Sequence, residues 1–225
     1  MAVIFVILAG VAFIVIDYFM NHRRLEQTVD LENRGEPVEF EKTDGIQFSP
    51  QLYFHPFHSW LKPLDAQTAK VGLDDFARRL SGHADRLLLP EPGTVVEAGL
   101  PCIGIGNGGR ITRIVTPVAG EITEINPALK DKPELIFDDP YGEGWVFKIK
   151  DWRLQDQKKS LLTGQLIADW MRGAVQRMRY GINGIPAIFA QDGGMLCEDI
   201  CAELDRFEWS KLVKENLGTE SYEMP

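Results

Sequence analysis

Apolar positions change their spacing several times along the chain, and each change marks a different kind of element. Residues 1–20 read MAVIFVILAGVAFIVIDYFM, apolar on every face of a helix, with Asp17 as the only charge. About 20 helical residues rise about 30 Å, the thickness of a bilayer's hydrocarbon core. The run therefore predicts a single membrane-spanning helix. A cleaved signal peptide would need a basic stretch before it and a small-residue cleavage site after it, and neither is there. From 21 to 49 apolar periodicity fades into charge (Glu26, Asp30, Glu32, Arg34, Glu36, Glu39, Glu41, Lys42, Asp44), which predicts a linker arm.

From residue 50 short apolar runs alternate with glycine and proline, the pattern of β-structure. Strands are predicted over 70–73, 86–89, 95–96, 101–105, 111–115, 120–125 and 144–149. A helix over 74–80 is started by Asp74 and stopped by Gly82. Leu161, Leu162, Leu166, Ile167, Trp170, Met171, Ala174, Val175 and Met178 form one stripe, which predicts a helix over 160–180 ending at Gly181. Beyond it lie a predicted strand over 185–190, a turn over 191–194, and helices over 197–204 and 208–217. The expected organisation is a membrane helix (1–20), a linker (21–49), a mainly β domain (50–155) and a helical C-terminal extension (156–225).

Charge adds orientation and exclusions. Arg23 and Arg24 follow the apolar run, so the N-terminus is expected outside an inner or cytoplasmic membrane and the domain in the cytoplasm. Asp17 has two open readings, solvation at the interface or a polar contact with another membrane subunit. The formal net charge of −9 argues against nucleic-acid binding, which needs a basic face. Three cysteines, Cys102, Cys197 and Cys201, suggest no disulfide framework.

The turns carry a family resemblance. His58-Ser59-Trp60 precedes Val71-Gly72-Leu73-Asp74-Asp75-Phe76-Ala77 and Leu80-Ser81-Gly82. Leu89-Pro90-Glu91-Pro92-Gly93 and Pro117-Val118-Ala119-Gly120 follow. Asn126-Pro127-Ala128-Leu129 and the run from Pro133 to Trp145 come next. In order and spacing this resembles the lipoyl-carrying H-protein of the glycine cleavage system. The resemblance implies a barrel-sandwich hybrid, two small sheets sharing one core.

It also implies where a lipoyl-lysine would stand. That column falls on Gly109, and the glutamate three residues before it on Gly106. No lysine occurs between Lys70 and Lys130. Arg110 is adjacent, but a protonated guanidinium is no amine nucleophile. Covalent lipoate is not expected, and no other cofactor is. The stretch Gly104-Ile-Gly106-Asn-Gly108-Gly109-Arg110 is read as a hairpin, because a phosphate cradle would open a helix and here a strand follows.

Other constellations are bland. His55 and His58 have an H-x-x-H spacing without further ligands, so no metal is expected. Cys197 and Cys201 would share a helix face and pack. No nucleophile motif stands out, and the chain is not expected to be an enzyme. The leading expectation is an accessory or scaffold subunit of a membrane complex, respiratory or electron-transferring, bound to other subunits and the bilayer. Asp17, Asn107, Arg110, Arg113 and Trp170 are its expected partner contacts. The alternative is a membrane recruiter of lipoate-dependent or glycine cleavage enzymes. A third reading is a ligand-binding module that uses the glycine loop.

Overall fold

The computed structural model describes residues 39–151, 153–181, 196–220 and 222–223. The predicted membrane helix, with Asp17 and the Arg23-Arg24 flank, lies outside them, as do the predicted strand over 185–190 and the turn over 191–194. Among the described residues no helix is long and apolar enough to cross a membrane.

Among the described residues two antiparallel sheets and a hairpin make the β-structure. The hairpin is β1 (Glu41–Thr43) with β2 (Ile46–Phe48). The larger sheet runs in the order β3 (Tyr53–Phe54), β4 (Ser59–Pro63), β5 (Thr68–Leu73), β11 (Phe147–Lys150), β10 (Gly120–Ile125), β7 (Val95–Val96). The smaller one runs β12 (Tyr222–Glu223), β9 (Arg110–Val115), β8 (Pro101–Asn107), β6 (Arg86–Leu88). Ile103, Ile105 and Ile114 of one sheet and Leu61, Val71, Ile122, Phe147 and Ile149 of the other meet in a single core. The chain is thus mainly β with helical additions.

Among the described residues the α-helices are α1 (Asp75–Ser81), α2 (Ala128–Asp131), α3 (Leu135–Asp138), α4 (Leu154–Gln157), α5 (Gln165–Gly181), α6 (Ile200–Glu203) and α7 (Arg206–Leu217). Asp74 caps α1 by accepting from the Ala77 N–H at 2.8 Å. Gly218, left-handed at φ 66°, ends α7.

Several boundaries differ from those expected. The end of the predicted linker is folded: Asp44 (φ 49°) and Gly45 (φ 85°) turn the β1–β2 hairpin, and Ile46 and Phe48 are buried. The abundance of charge around a two-residue apolar alternation hid it. The Tyr141 hydroxyl ties this hairpin in, donating to the Gln47 carbonyl at 2.6 Å and accepting from the Asp75 N–H at 3.0 Å. Helix α5 begins only at Gln165, because Leu162 exchanges backbone bonds with Phe54 at 2.8 Å. The last long strand begins at Phe147 rather than Gly144, whose amide closes a turn on the Asp139 carbonyl.

The C-terminal extension is part of the same core. Ile200, Cys201, Leu204, Trp209, Leu212, Val213 and Leu217 are buried in one cluster with the sheet residues. Its β12 pairs with β9 at Ile111 and Arg110, which covers one edge of the smaller sheet.

Candidate functional site

The glycine stretch forms the β8–β9 hairpin. Asn107 pairs with Arg110, leaving a two-residue loop of Gly108 (φ 56°) and Gly109 (φ 85°). Positive φ at both positions is the geometry glycine adopts without steric cost. Both glycines are exposed, and a Cβ on either would meet nothing within 4 Å.

The rest of the stretch serves packing. A Cβ on Gly104 would come within 2.9 Å of the Leu88 side chain, and one on Gly106 within 2.7 Å of Arg86, so both side chains lie across the strand where the glycines stand. Gly106 pairs with Arg86 and Ile111 in the ladder, and the Gly108 N–H donates to the Asp85 carboxylate at 2.9 Å. An amide that already faces a carboxylate is poorly placed to receive an anion. The hairpin reading holds, and the phosphate-cradle geometry of strand then helix is not formed.

Two of the expected partner contacts turn inward at this hairpin. Asn107 Nδ2 donates to the Ser81 carbonyl at 3.2 Å. Arg110 donates to the carbonyls of Cys201 (2.6 Å) and Leu204 (3.1 Å), and its guanidinium lies 5.4 Å from the centre of the Trp209 ring. Trp209 in turn donates to the Leu80 carbonyl at 2.9 Å. Thr219 donates to the Arg113 carbonyl at 2.7 Å, while the Arg113 side chain is exposed on the outer face. The hairpin base is therefore clamped between α1 and the C-terminal extension, with only Gly108 and Gly109 projecting.

Gly82 lies where these parts converge. Its φ is 68°, and a Cβ there would lie 2.4 Å from Asn107 Nδ2, 2.6 Å from Asp199 Oδ1 and 2.8 Å from Cys201 Cβ. Arg79 extends the clamp by donating to the carbonyls of Leu196 (2.8 Å) and Gly45 (3.0 Å). The particular contacts of Asp85, Ser81 and Trp209 could not be read in sequence, because the partners stand 23, 26 and 129 residues away.

Trp170, also expected at an interface, packs on its own domain. Its ring lies 4.6 Å from His58 and 6.0 Å from Phe54, centre to centre. His58 is fully buried between Trp170 and Phe76, with Nδ1 2.7 Å from Asp74 Oδ2. His55 Nδ1 accepts from the Phe57 N–H at 3.2 Å. Each imidazole of the H-x-x-H pair thus has a structural partner. Burial raises the thiol pKa of Cys102, Cys197 and Cys201, which disfavours the reactive thiolate.

Residues 52–173 match the family model for the glycine cleavage H-protein. A probable glycine cleavage system H protein of Thermococcus kodakarensis is 36% identical over 121 residues, which are 54% of this chain and 90% of that one. The H protein of Thermus thermophilus is 38% identical over 112 residues, 50% of this chain and 87% of that one. The crystal structure of an H protein from Mycobacterium marinum aligns at a TM-score of 0.46 and 21% identity, over 60% of this chain and all of that one. These relatives carry the name of a glycine cleavage component, which overturns the expectation of a respiratory or electron-transfer scaffold. That expectation rested on the membrane setting alone. By the match over residues 52–173, the chain belongs to the glycine cleavage H-protein family.

Proposed function

We propose that this chain is a non-carrying member of the family, which docks on lipoate-dependent or glycine cleavage enzymes without itself bearing lipoate. Residues 1–20 tether it to a membrane with the domain on the cytoplasmic side. One observation carries the reading. The lipoyl-lysine column of the resemblance falls on Gly109, at the exposed tip of the β8–β9 hairpin, where the chain offers no amine. The turn motifs on either side of that tip keep the order and spacing of the family, within the matched residues 52–173. A fold kept without its attachment point retains a surface for recognition rather than for chemistry, so the chain acts as a binding module and not as an enzyme.

Incubation of the full chain in detergent micelles with lipoate, ATP and a lipoate–protein ligase tests the first half. Intact mass should stay unchanged, while Gly109→Lys, which places an amine in open space, is the positive control. A lipoyl adduct on the wild-type chain sinks the reading. Affinity capture from a lysate tests the second half: glycine cleavage or lipoate-dependent enzymes are expected on the full chain, and their absence removes the docking role.

A further inference from the structure

The free edge of β6 borders a groove that neither the hairpin tip nor the C-terminal clamp uses. Among the described residues β6 pairs with β8 on one side only and ends its sheet. An edge strand presents backbone N–H and C=O groups ready for another strand. Between this edge and the end of β10 runs an open groove of about 580 Å³. Leu87, Leu89, Ile125 and Leu129 give it an apolar wall, and the exposed Arg86 and Lys130 stand on its rim. Among the described residues neither cation makes a hydrogen bond or an ion pair. The wall is firm, since Asn126 donates to the carbonyls of Glu143 and Trp145, both at 2.7 Å, and fixes the turn into α2.

We propose that this groove takes an extended acidic–apolar peptide from a partner protein, added as a strand beside β6. Its carboxylates would meet Arg86 and Lys130, and its alternate apolar side chains the Leu87–Leu129 wall. Strand addition takes affinity from main-chain bonds and specificity from pockets for every second side chain. Two unpaired cations in a chain of net charge −9 select a negative partner. A small acid would use the wall and one cation but leave the strand edge unpaired. A flat lipid surface would not enter a concave groove. The inference deepens the docking reading above, and rests on it for the partner being a protein.

The probe is a fluorescein-labelled, end-blocked octapeptide of alternating valine and glutamate, with a valine–lysine octapeptide as control. Fluorescence anisotropy on the full chain in micelles should show saturable binding of the glutamate peptide alone. The double variant Arg86→Glu/Lys130→Glu should weaken it by about tenfold or more. The milder Arg86→Gln/Lys130→Gln pair covers a loss of folding. Amide exchange at 86–88 should slow when the peptide binds. Equal affinity on wild type and variant, equal affinity for both peptides, or no saturable binding overturns the proposal. Displacement by octanoate or by phosphatidylglycerol vesicles, with no exchange protection at 86–88, reassigns the groove to a small acid or a lipid and overturns it too. The docking reading fails separately, if the wild-type chain captures no lipoate-dependent or glycine cleavage enzyme whatever the peptide does.

Discussion

Arg110 donates from Nη1 to the Cys201 carbonyl oxygen at 2.6 Å, joining residues 91 positions apart. This bond, with the one to Leu204 and the stacking on Trp209, makes Arg110 the bolt between the hairpin and the C-terminal extension. A residue that looked like a free docking cation is instead an internal fastener.

Arg110→Met should therefore destabilise the fold by about 2–3 kcal/mol, the net worth of charge-assisted hydrogen bonds and a cation–π contact in a half-buried setting. Arg110→Lys should recover little, since an ammonium cannot span two carbonyls in the plane of the fork. Urea unfolding followed by tryptophan fluorescence measures both. A Met variant as stable as wild type would mean the extension holds without the bolt.

Gly82 and Gly93 make a controlled pair, because both have positive φ (68° and 88°) but differ in surroundings. Gly93→Ala has open space and meets backbone strain alone, about 1 kcal/mol. Gly82→Ala must also move Asn107, Asp199 or Cys201, which adds about 1–3 kcal/mol of overpacking. Thermal unfolding should rank Gly82→Ala well below Gly93→Ala. Equal losses would show that the convergence at Gly82 yields easily.

Much of the barrel was legible in sequence because its signals are local. Asp74 as a cap, Asn107-Gly108-Gly109 as a turn and the alternation of Ile111 to Val115 each act within a few residues. The β1–β2 hairpin was not legible since Ile46 and Phe48 are two apolar positions in a charged stretch, and the bond that ties the hairpin in comes from Tyr141, 94 residues beyond Gln47. The inward contacts of Arg110 and Trp170 were not legible for a similar reason. An exposed and an engaged arginine look alike until Cys201, Leu204 and Trp209 are brought to it. Helix propensity over 160–164 lost to the bridge between Leu162 and Phe54, a tertiary contact no local pattern announces.

Cys102 gives a pH dependence with a defined sign. Burial pushes its thiol from 9.0 to about 11. Alkylation by iodoacetamide should then be slower at pH 8 than for an unfolded peptide thiol and still rise past pH 10. Below about pH 9 both folded and unfolded thiols are protonated and the stabilising difference is fully present. Between about 9 and 11 the unfolded thiol has ionised while the folded one has not, so stability falls as pH rises. Cys102→Ala should remove that component of the alkaline loss. An alkylation profile centred near 9 would contradict the burial.

Lys62, Lys70 and Lys148 stand side by side across β4, β5 and β11, and the row ends at Glu124 of β10. Lys148 holds Glu124 at 2.7 Å, but Lys62 faces Lys70 with no carboxylate between them. Burial, then the charges of Lys148 and Lys62, hold the Lys70 ammonium below the usual lysine range. Directly opposed like charges destabilise a sheet, and opposite ones stabilise it by about 0.2–1 kcal/mol. Lys62→Glu should therefore raise stability by about 0.5–1 kcal/mol at low salt, and Lys62→Gln by less, since it removes repulsion without adding attraction. High salt should shrink both gains, because the row is partly exposed. The Lys70 pKa, followed by NMR of its side-chain nitrogen, should move back toward the ordinary value in Lys62→Glu. Unchanged stability together with an unchanged Lys70 titration would mean that Lys62 swings clear of its neighbour, and that burial and Lys148 alone depress Lys70.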